Sequence, residues 1–303
     1  MPPRRVVYTV LMGGYESLVE QPLGGVQGAD LICFTDSVHL TSDTWHVRRV
    51  EPVFPADPNR SSRRPKILAH EYLADYDESL YIDNTVLLTA PADVVFDQLL
   101  SATSPMALVR HSERASLREE FAKVVENGLD AEWIVTEQLA DYERTASQVL
   151  DGPTLWGGIL ARRHNEPSIR NAMQTWWEHV LRYSRRDQLS LPVALEAAGL
   201  DLLVHNLDNR RSTFHTWPDK SANRDRSRGA PLPKAPKLIA ALENELAMRR
   251  SSASWRVTSP MRRMAAFVRG FPRWRRLTAS TAVRRAGSRR RRSPTPTRRR
   301  RRS

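Results

Sequence analysis

Asp83, beside Asn84 in Ser79-Leu80-Tyr81-Ile82-Asp83-Asn84-Thr85-Val86-Leu87-Leu88, offers a carboxylate at the point where two apolar runs meet. Both runs read as β-strand, so Asp83 is expected where a buried strand ends and a second, short one begins. In an open α/β sheet ligands bind outside the carboxyl ends of the strands, where an anionic oxygen can meet phosphate through a hard divalent cation. Asp and Asn are also turn formers, and a plain turn is the other reading. A second candidate is Arg60-Ser61-Ser62-Arg63-Arg64-Pro65-Lys66. A helix is expected to start at Ser62 or Arg63, with Pro65 tolerated in its first turn. Cations in a first turn oppose the helix dipole and need another reason to be there. Arg63, Lys66 and free N–H groups converging on one anion would supply it; a solvated basic patch is the alternative.

The elements that must position these groups alternate in type. Residues 6–11 have the β-branched density of a central strand and run into Gly13-Gly14-Tyr15, a weak phosphate-loop signal. Residues 30–36 repeat the design, ending in Thr35 and Asp36, whereas 45–50 alternate as an edge strand should. Residues 93–101 read as helix and 106–110 as strand. Ser116-Leu117-Arg118-Glu119 has capping-box spacing, predicting a helix to Asn127 that stops at Gly128. Helical character over 130–150 precedes a strand at 155–161, interrupted by Gly157 and Gly158, which would allow close approach of a bound group. Helices from Pro167 to Tyr183 and from Ser190 to Gly199 follow, then a last strand at 202–205, a loop over 206–237 and a helix at 238–250 expected to pack back on the domain. Strands alternating with helices call for an α/β sheet covered on both faces.

The formal net charge of +13 is unevenly placed. From Arg249 to Ser303 there are 20 Arg and no acidic residue, so the +13 of the whole chain less those 20 leaves −7 on residues 1–248. The folded part is therefore acidic, and the basic C-terminal tail is expected to be largely disordered, because like charges repel and little apolar surface can be buried. Cys33, the one cysteine, excludes an internal disulfide and a multi-cysteine metal site. In Leu31-Ile32-Cys33-Phe34 it reads as a small buried hydrophobe. No apolar run approaches the roughly 20 residues that cross a bilayer, and no secretory apolar region follows Met1; the expectation is a cytoplasmic protein. Domain limits are placed at 1–217 for the α/β domain, 218–250 for a loop and packing helix, and 251–303 for the Arg-rich tail.

Several short motifs, in order, resemble a glycosyltransferase-like domain family first catalogued as of unknown function, with members among plant mucilage and cell-wall proteins and in bacteria. They are Tyr8-Thr9 with Gly13-Gly14-Tyr15; Ile32-Cys33-Phe34-Thr35-Asp36; Arg60-x-x-Arg63-x-x-Lys66-Ile67; Tyr81-Ile82-Asp83-Asn84; His111-x-x-Arg114 with Glu119-Glu120; and Trp176-Trp177 before Arg186-Asp187-Gln188-Leu189-Ser190. The likeness covers roughly residues 5–215. It implies a GT-A-like, Rossmann-related mixed sheet binding a nucleotide-sugar. On that resemblance Thr9, Tyr15 and Asp36 contact the nucleoside, while Arg63 and Lys66 hold the diphosphate and stabilise charge on the leaving group. Asp83, Asn84, Gly157 and Gly158 lie at the donor sugar. Asp187 and Gln188 resemble the Asp-Gln pair that related sugar transferases place beside the reacting sugar, Asp187 as hydroxyl ligand or general base. Trp176 and Trp177 read as core, at least on one ring. Asp83 takes the place of the first Asp of an Asp-x-Asp metal motif, but Thr85 stands where the second carboxylate belongs. Mn²⁺ or Mg²⁺ held by Asp83, His215 or His205, the diphosphate and water is the cofactor expectation.

The leading expectation is a glycosyltransferase moving a sugar from a nucleotide-diphosphate donor to a glycan or lipid-linked acceptor. Loss of Asp83 or Asp187 should then abolish turnover with the fold intact. A non-catalytic nucleotide-sugar or glycan-binding protein of the same fold is the alternative that Thr85 suggests. A third reading places function in the tail, binding nucleic acid or, through its interleaved aromatic and basic residues, an anionic surface at the inner face of a membrane.

Overall fold

The structure, a computed structural model, describes residues 2–22, 27–200, 202–217 and 244–248. The chain divides into two units, Met1–Ala241 and Leu242–Ser303. Of the second, residues 244–248 are described and are helical. Residues 218–237 of the loop expected over 206–237, the rest of the helix expected at 238–250 and the Arg-rich tail lie outside the described residues. Among the described residues no helix is long and apolar enough to cross a membrane.

Among the described residues there are nine strands: β1 (Arg5–Leu11), β2 (Asp30–Thr35), β3 (His46–Arg49), β4 (Glu78–Ile82), β5 (Leu87–Leu88), β6 (Met106–Arg110), β7 (Leu155–Arg162), β8 (Leu203–His205) and β9 (His215–Thr216). Seven form one sheet in the order β3-β2-β1-β4-β7-β6-β8, and β5 pairs with β9 apart from it. β3, β2, β1 and β4 are mutually parallel, and β6 pairs parallel with β8. β7 runs antiparallel to both of its neighbours, β4 and β6. It is the single reversed strand, and it brings its own N-terminal end to the rim where β1, β2, β4 and β6 terminate. At that rim the Asp83 N–H donates to the Gly158 carbonyl at 2.9 Å.

Among the described residues of the first unit the helices are α1 (Pro58–Ile67), α2 (Ala69–Tyr72), α3 (Ala92–Leu99), α4 (Leu117–Glu126), α5 (Glu132–Thr145), α6 (Ser147–Leu150), α7 (Pro167–Arg182) and α8 (Leu191–Ala198). Side chains alternate across a strand, so β1 feeds two cores. Val6, Tyr8 and Val10 pack with Ile67 of α1, Trp176 of α7 and Leu191 of α8, while Val7 and Leu11 pack with Val95 and Phe96 of α3. Helices therefore cover both faces, as the alternation of elements requires. A third cluster of Leu117, Phe121 and Tyr142 ties α4 to α5. Ser116 caps α4 as its spacing predicts, its hydroxyl accepting the Glu119 N–H, while the Glu119 carboxylate takes the Ala115 N–H rather than that of Ser116, and Gly128 follows the helix with φ 61°. β9 lies within the stretch expected as loop, because Leu87 and Leu88 need a partner strand and His215 and Thr216 supply it.

The start of α1 is corrected. Asp57 caps it, accepting the Arg60 N–H, and the proline of its first turn is Pro58, with Pro65 inside the helix. Arg63 and Lys66 thus stand in its second half, where cations complement the helix dipole. The free N–H groups of a helix start are not beside them.

Candidate active site

Lys66 and Arg63, one helical turn apart on α1, both reach Asp187, which opens a short 3₁₀ turn (Asp187–Leu189) between α7 and α8. Lys66 Nζ lies 2.7 Å from Asp187 Oδ2, and Arg63 Nε 3.1 Å from Oδ1. All three side chains are largely buried, and both contacts are close ion pairs rather than aligned hydrogen bonds. Burial alone would raise the proton affinity of Asp187, but Arg63 and Lys66 outweigh it and hold the carboxyl far below the ordinary range. Burial likewise opposes the charge of Arg63, yet Asp187, Tyr81, Tyr15 and Asp83 outweigh it and raise its pKa. The 3₁₀ turn is fixed from behind by Trp176, whose indole N–H donates to the Asp187 carbonyl at 2.8 Å. Both tryptophans of α7 are buried, as their core reading requires.

Asp83 joins this cluster through Tyr81. Residues two apart on a strand share a face, so the Tyr81 hydroxyl reaches the Asp83 carboxylate at 2.8 Å while Lys66 Nζ sits 4.6 Å over the Tyr81 ring. Burial, with Asp83 beside it, pushes that hydroxyl well above its usual range, so it remains a donor. Gly157 lies opposite: a Cβ there would come within 3.2 Å of Lys66 Nζ, so its missing side chain makes room for the cation. Gln188 is half-buried on the same turn as Asp187. Asp36 accepts the Gly13 N–H at 3.0 and 3.1 Å, and Gly13, at φ 78°, lies so close to Pro58 that a Cβ would meet it at 2.5 Å. Tyr15 is half-buried and near enough to Arg63 to bear on its charge.

Four of the expected site residues are placed otherwise. Thr9 is fully buried inside β1, so its side chain is not presented to a nucleoside. The Asn84 amide braces the preceding loop, accepting from the Val19 N–H at 2.9 Å and donating to the Ser17 carbonyl at 2.8 Å. The space a Gly158 side chain would take is filled by the Trp156 indole, whose atoms would lie 2.4 Å from a Cβ. His215 is buried with both ring nitrogens engaged, Nδ1 with Ser212 Oγ at 2.7 Å and Nε2 with the Asn209 carbonyl at 3.1 Å, and burial lowers its pKa. His205 also has a ring nitrogen on a carbonyl, that of Leu99. Thr85, in place of a second carboxylate, accepts the Trp217 indole N–H at 3.0 Å. No group of three His, Cys, Asp or Glu able to hold a metal ion occurs among the described residues. Asp83 alone therefore does not amount to a protein-built centre for Mn²⁺ or Mg²⁺.

Other residues of the site carried weaker sequence signals. Arg60 is engaged elsewhere: its guanidinium binds the carbonyls of Val180, Leu181 and Tyr183 and so closes the C-terminus of α7. Arg185 links Asp57, at 3.0 Å, to the Asp130 side that also receives the Ser184 hydroxyl. Arg162, fully buried at the end of β7, donates to the Lys66 and Ile67 carbonyls and to the Tyr8 hydroxyl, fixing the end of α1 that carries Lys66. Glu120 of α4 lies 3.2 Å from Arg114 Nε, and burial pushes its carboxyl up despite Arg186 and Arg114.

A family model described as TOD1/MUCI70, glycosyltransferase-like domain, matches residues 34–206, more than half of the chain. The chain belongs to that family. The match spans the TOD1/MUCI70 stretch that holds Arg63, Lys66, Asp83 and Asp187. No curated protein sequence matches the chain. Among solved structures, apo WbbM, a bifunctional glycosyltransferase, is similar at TM-score 0.39 and 13% identity, over 68% of this chain and 39% of its own. Apo mouse xyloside xylosyltransferase 1 is similar at TM-score 0.38 and 11% identity, over 68% of this chain and 87% of its own. The chain thus spans well under half the length of the first.

Proposed function

We propose that this TOD1/MUCI70 domain is a glycosyltransferase that takes its sugar from a nucleotide-diphosphate donor and passes it to a glycan or lipid-linked acceptor. The observation that carries this reading is the gathering of Arg63, Lys66, Asp187, Tyr81 and Asp83 at one rim of the sheet, in a chain of a glycosyltransferase-like family. Two cations against Asp187 leave the triad with one net positive charge, which suits a diphosphate. As the bond from the sugar's anomeric carbon to the diphosphate oxygen breaks, its electron pair stays on the phosphate, and positive groups already in place stabilise that charge without reorganising. The new bond forms to the acceptor hydroxyl oxygen, whose proton is released. Held anionic by two cations, Asp187 is a weak base, so its part is to orient Lys66 and Arg63 and, with Gln188, to take sugar hydroxyls. Asp83 is the carboxylate left to face the donor, or a cation brought in with its phosphates. Tyr15 and Asp36, beside Gly13, are assigned to the nucleoside side. A cytoplasmic setting, with the Arg-rich tail on an anionic membrane surface or nucleic acid, belongs to the same proposal.

The test is Asp83→Ala. Among the described residues its side chain makes one hydrogen bond, from Tyr81, so the expected cost in stability is about 1 kcal/mol, while nucleotide release from a panel of nucleotide-sugars, with and without Mn²⁺, should fall at least about 100-fold. Undiminished release would remove Asp83 from the site. The second reading, binding without transfer, is favoured by Thr85, which has no charge and is held by Trp217. Donor binding by calorimetry with no product after long incubation would select it.

A further inference from the structure

The arginines around Asp187 are engaged, with one exception. Arg63 is paired with Asp187, Arg60 with the carbonyls ending α7, Arg185 with Asp57, and Arg114 with Glu120. Arg186, the residue next to Asp187, is different. Its side chain makes no hydrogen bond or close ion pair among the described residues, and its Nε is buried without a partner. Its charge is nonetheless felt by two carboxylates, Asp187 and Glu120. A buried donor left unpaired carries a desolvation cost, and such a group in a native site calls for an explanation. A guanidinium presents a planar fork of donors that matches the oxygens of phosphate. Arg63 and Lys66 are already drawn to Asp187, and Thr85 removes a carboxylate that could have recruited a cation. Arg186 is the arginine of this cluster whose guanidinium is committed to no acceptor among the described residues.

We propose that Arg186 grips the diphosphate of the donor, supplying directed hydrogen bonds to phosphate oxygens where Arg63 and Lys66 supply background positive charge. The assignment rests on the reading of this rim as a nucleotide-sugar site and adds to it a ligand residue that the resemblance left without a role. The two carboxylates that its charge acts on are themselves fixed, Asp187 through Trp176 and Glu120 through Arg114.

Calorimetric titration of the full chain with inorganic pyrophosphate, UDP and GDP tests it. Wild type should bind at least one of these; R186Q should bind the same probe about 30-fold more weakly, and R186K should fall between, since an ammonium keeps the charge and loses the fork. R144Q, which removes an equal charge from an exposed pair at the end of α5, should bind as wild type does. Among the described residues the Arg186 side chain has no bond to lose, so R186Q should melt within about 2 °C of wild type. If it melts earlier, R186K carries the comparison. Equal affinity in wild type, R186Q and R186K would overturn the assignment of Arg186 while leaving the nucleotide-sugar reading standing. A wild type that binds no diphosphate would overturn that reading itself.

Discussion

Asp187→Asn should lower stability by about 3–5 kcal/mol and abolish sugar transfer with it, because the amide leaves two largely buried cations without their counter-charge. The sequence alone suggested that Asp187 could be removed with the fold intact; its burial between Arg63 and Lys66 argues otherwise. In a domain of this size the loss corresponds to a drop in melting temperature on the order of 10 °C. Lys66→Met in the same chain should recover a large part of it, since a long apolar side chain removes the unpaired charge while filling the same space. Transfer should stay lost in the double variant. The pH dependence has a definite sign. A carboxyl depressed in the folded state contributes stability that is complete above its unfolded value of about 3.9 and is lost as pH falls through the folded value. The stability gap between wild type and Asp187→Asn should thus be flat from about pH 5 to 8 and close in stronger acid. An Asp187→Asn protein melting within 1 °C of wild type, or one that retained transfer, would refute the triad's role.

Gly158→Ala is the second large effect. A Cβ would stand 2.4 Å from two atoms of the Trp156 indole, far inside contact distance, and that indole is buried against His215 at 5.6 Å and Trp217 at 5.4 Å between ring centres. The ring cannot swing into solvent, so the strain should destabilise the domain by about 1–3 kcal/mol or more. The damage should also reach Thr85, which Trp217 holds, and through it the Asp83 loop. Trp156→Leu combined with Gly158→Ala should be less harmful than the two losses added, because the smaller side chain vacates the contested space. Urea unfolding reads this as a shifted midpoint at unchanged slope. A Gly158→Ala midpoint equal to that of wild type would mean that the indole has room the packing does not provide.

Much of the architecture was legible because its signals are local. The β-branched run of β1, the capping box at Ser116 and the Gly199 that ends α8 each declare an element by residue type and spacing. Asp83 was legible for the same reason, and so was Tyr81, in principle, as its neighbour on the same strand face. The start of α1 was misread because two prolines compete for its first turn, and Asp57, three residues before Arg60, decides in favour of Pro58. What the sequence could not tell is which partner each polar group finds across the chain. Nothing near Asn84 says that Ser17 and Val19 will take its amide, nothing near Gly158 says that Trp156 will fold over it, and nothing near His215 says that Asn209 and Ser212 will occupy its ring. The meeting of Lys66 with Asp187 was expected from resemblance, but their mutual neutralisation, which changes what each can do, depends on burial that only packing creates.

The reversed direction of β7 bears on how the domain is made. As synthesis proceeds, β1 to β4 can pair as a growing parallel layer, yet β4 stays an unpaired edge until Leu155–Arg162 inserts beside it, and the carboxylate for Lys66 emerges later still. A nascent chain ending near residue 150 would therefore carry an open strand edge and two uncompensated cations together, a form prone to aggregate and dependent on chaperones. Completion of the sheet and neutralisation of the pocket become one cooperative event.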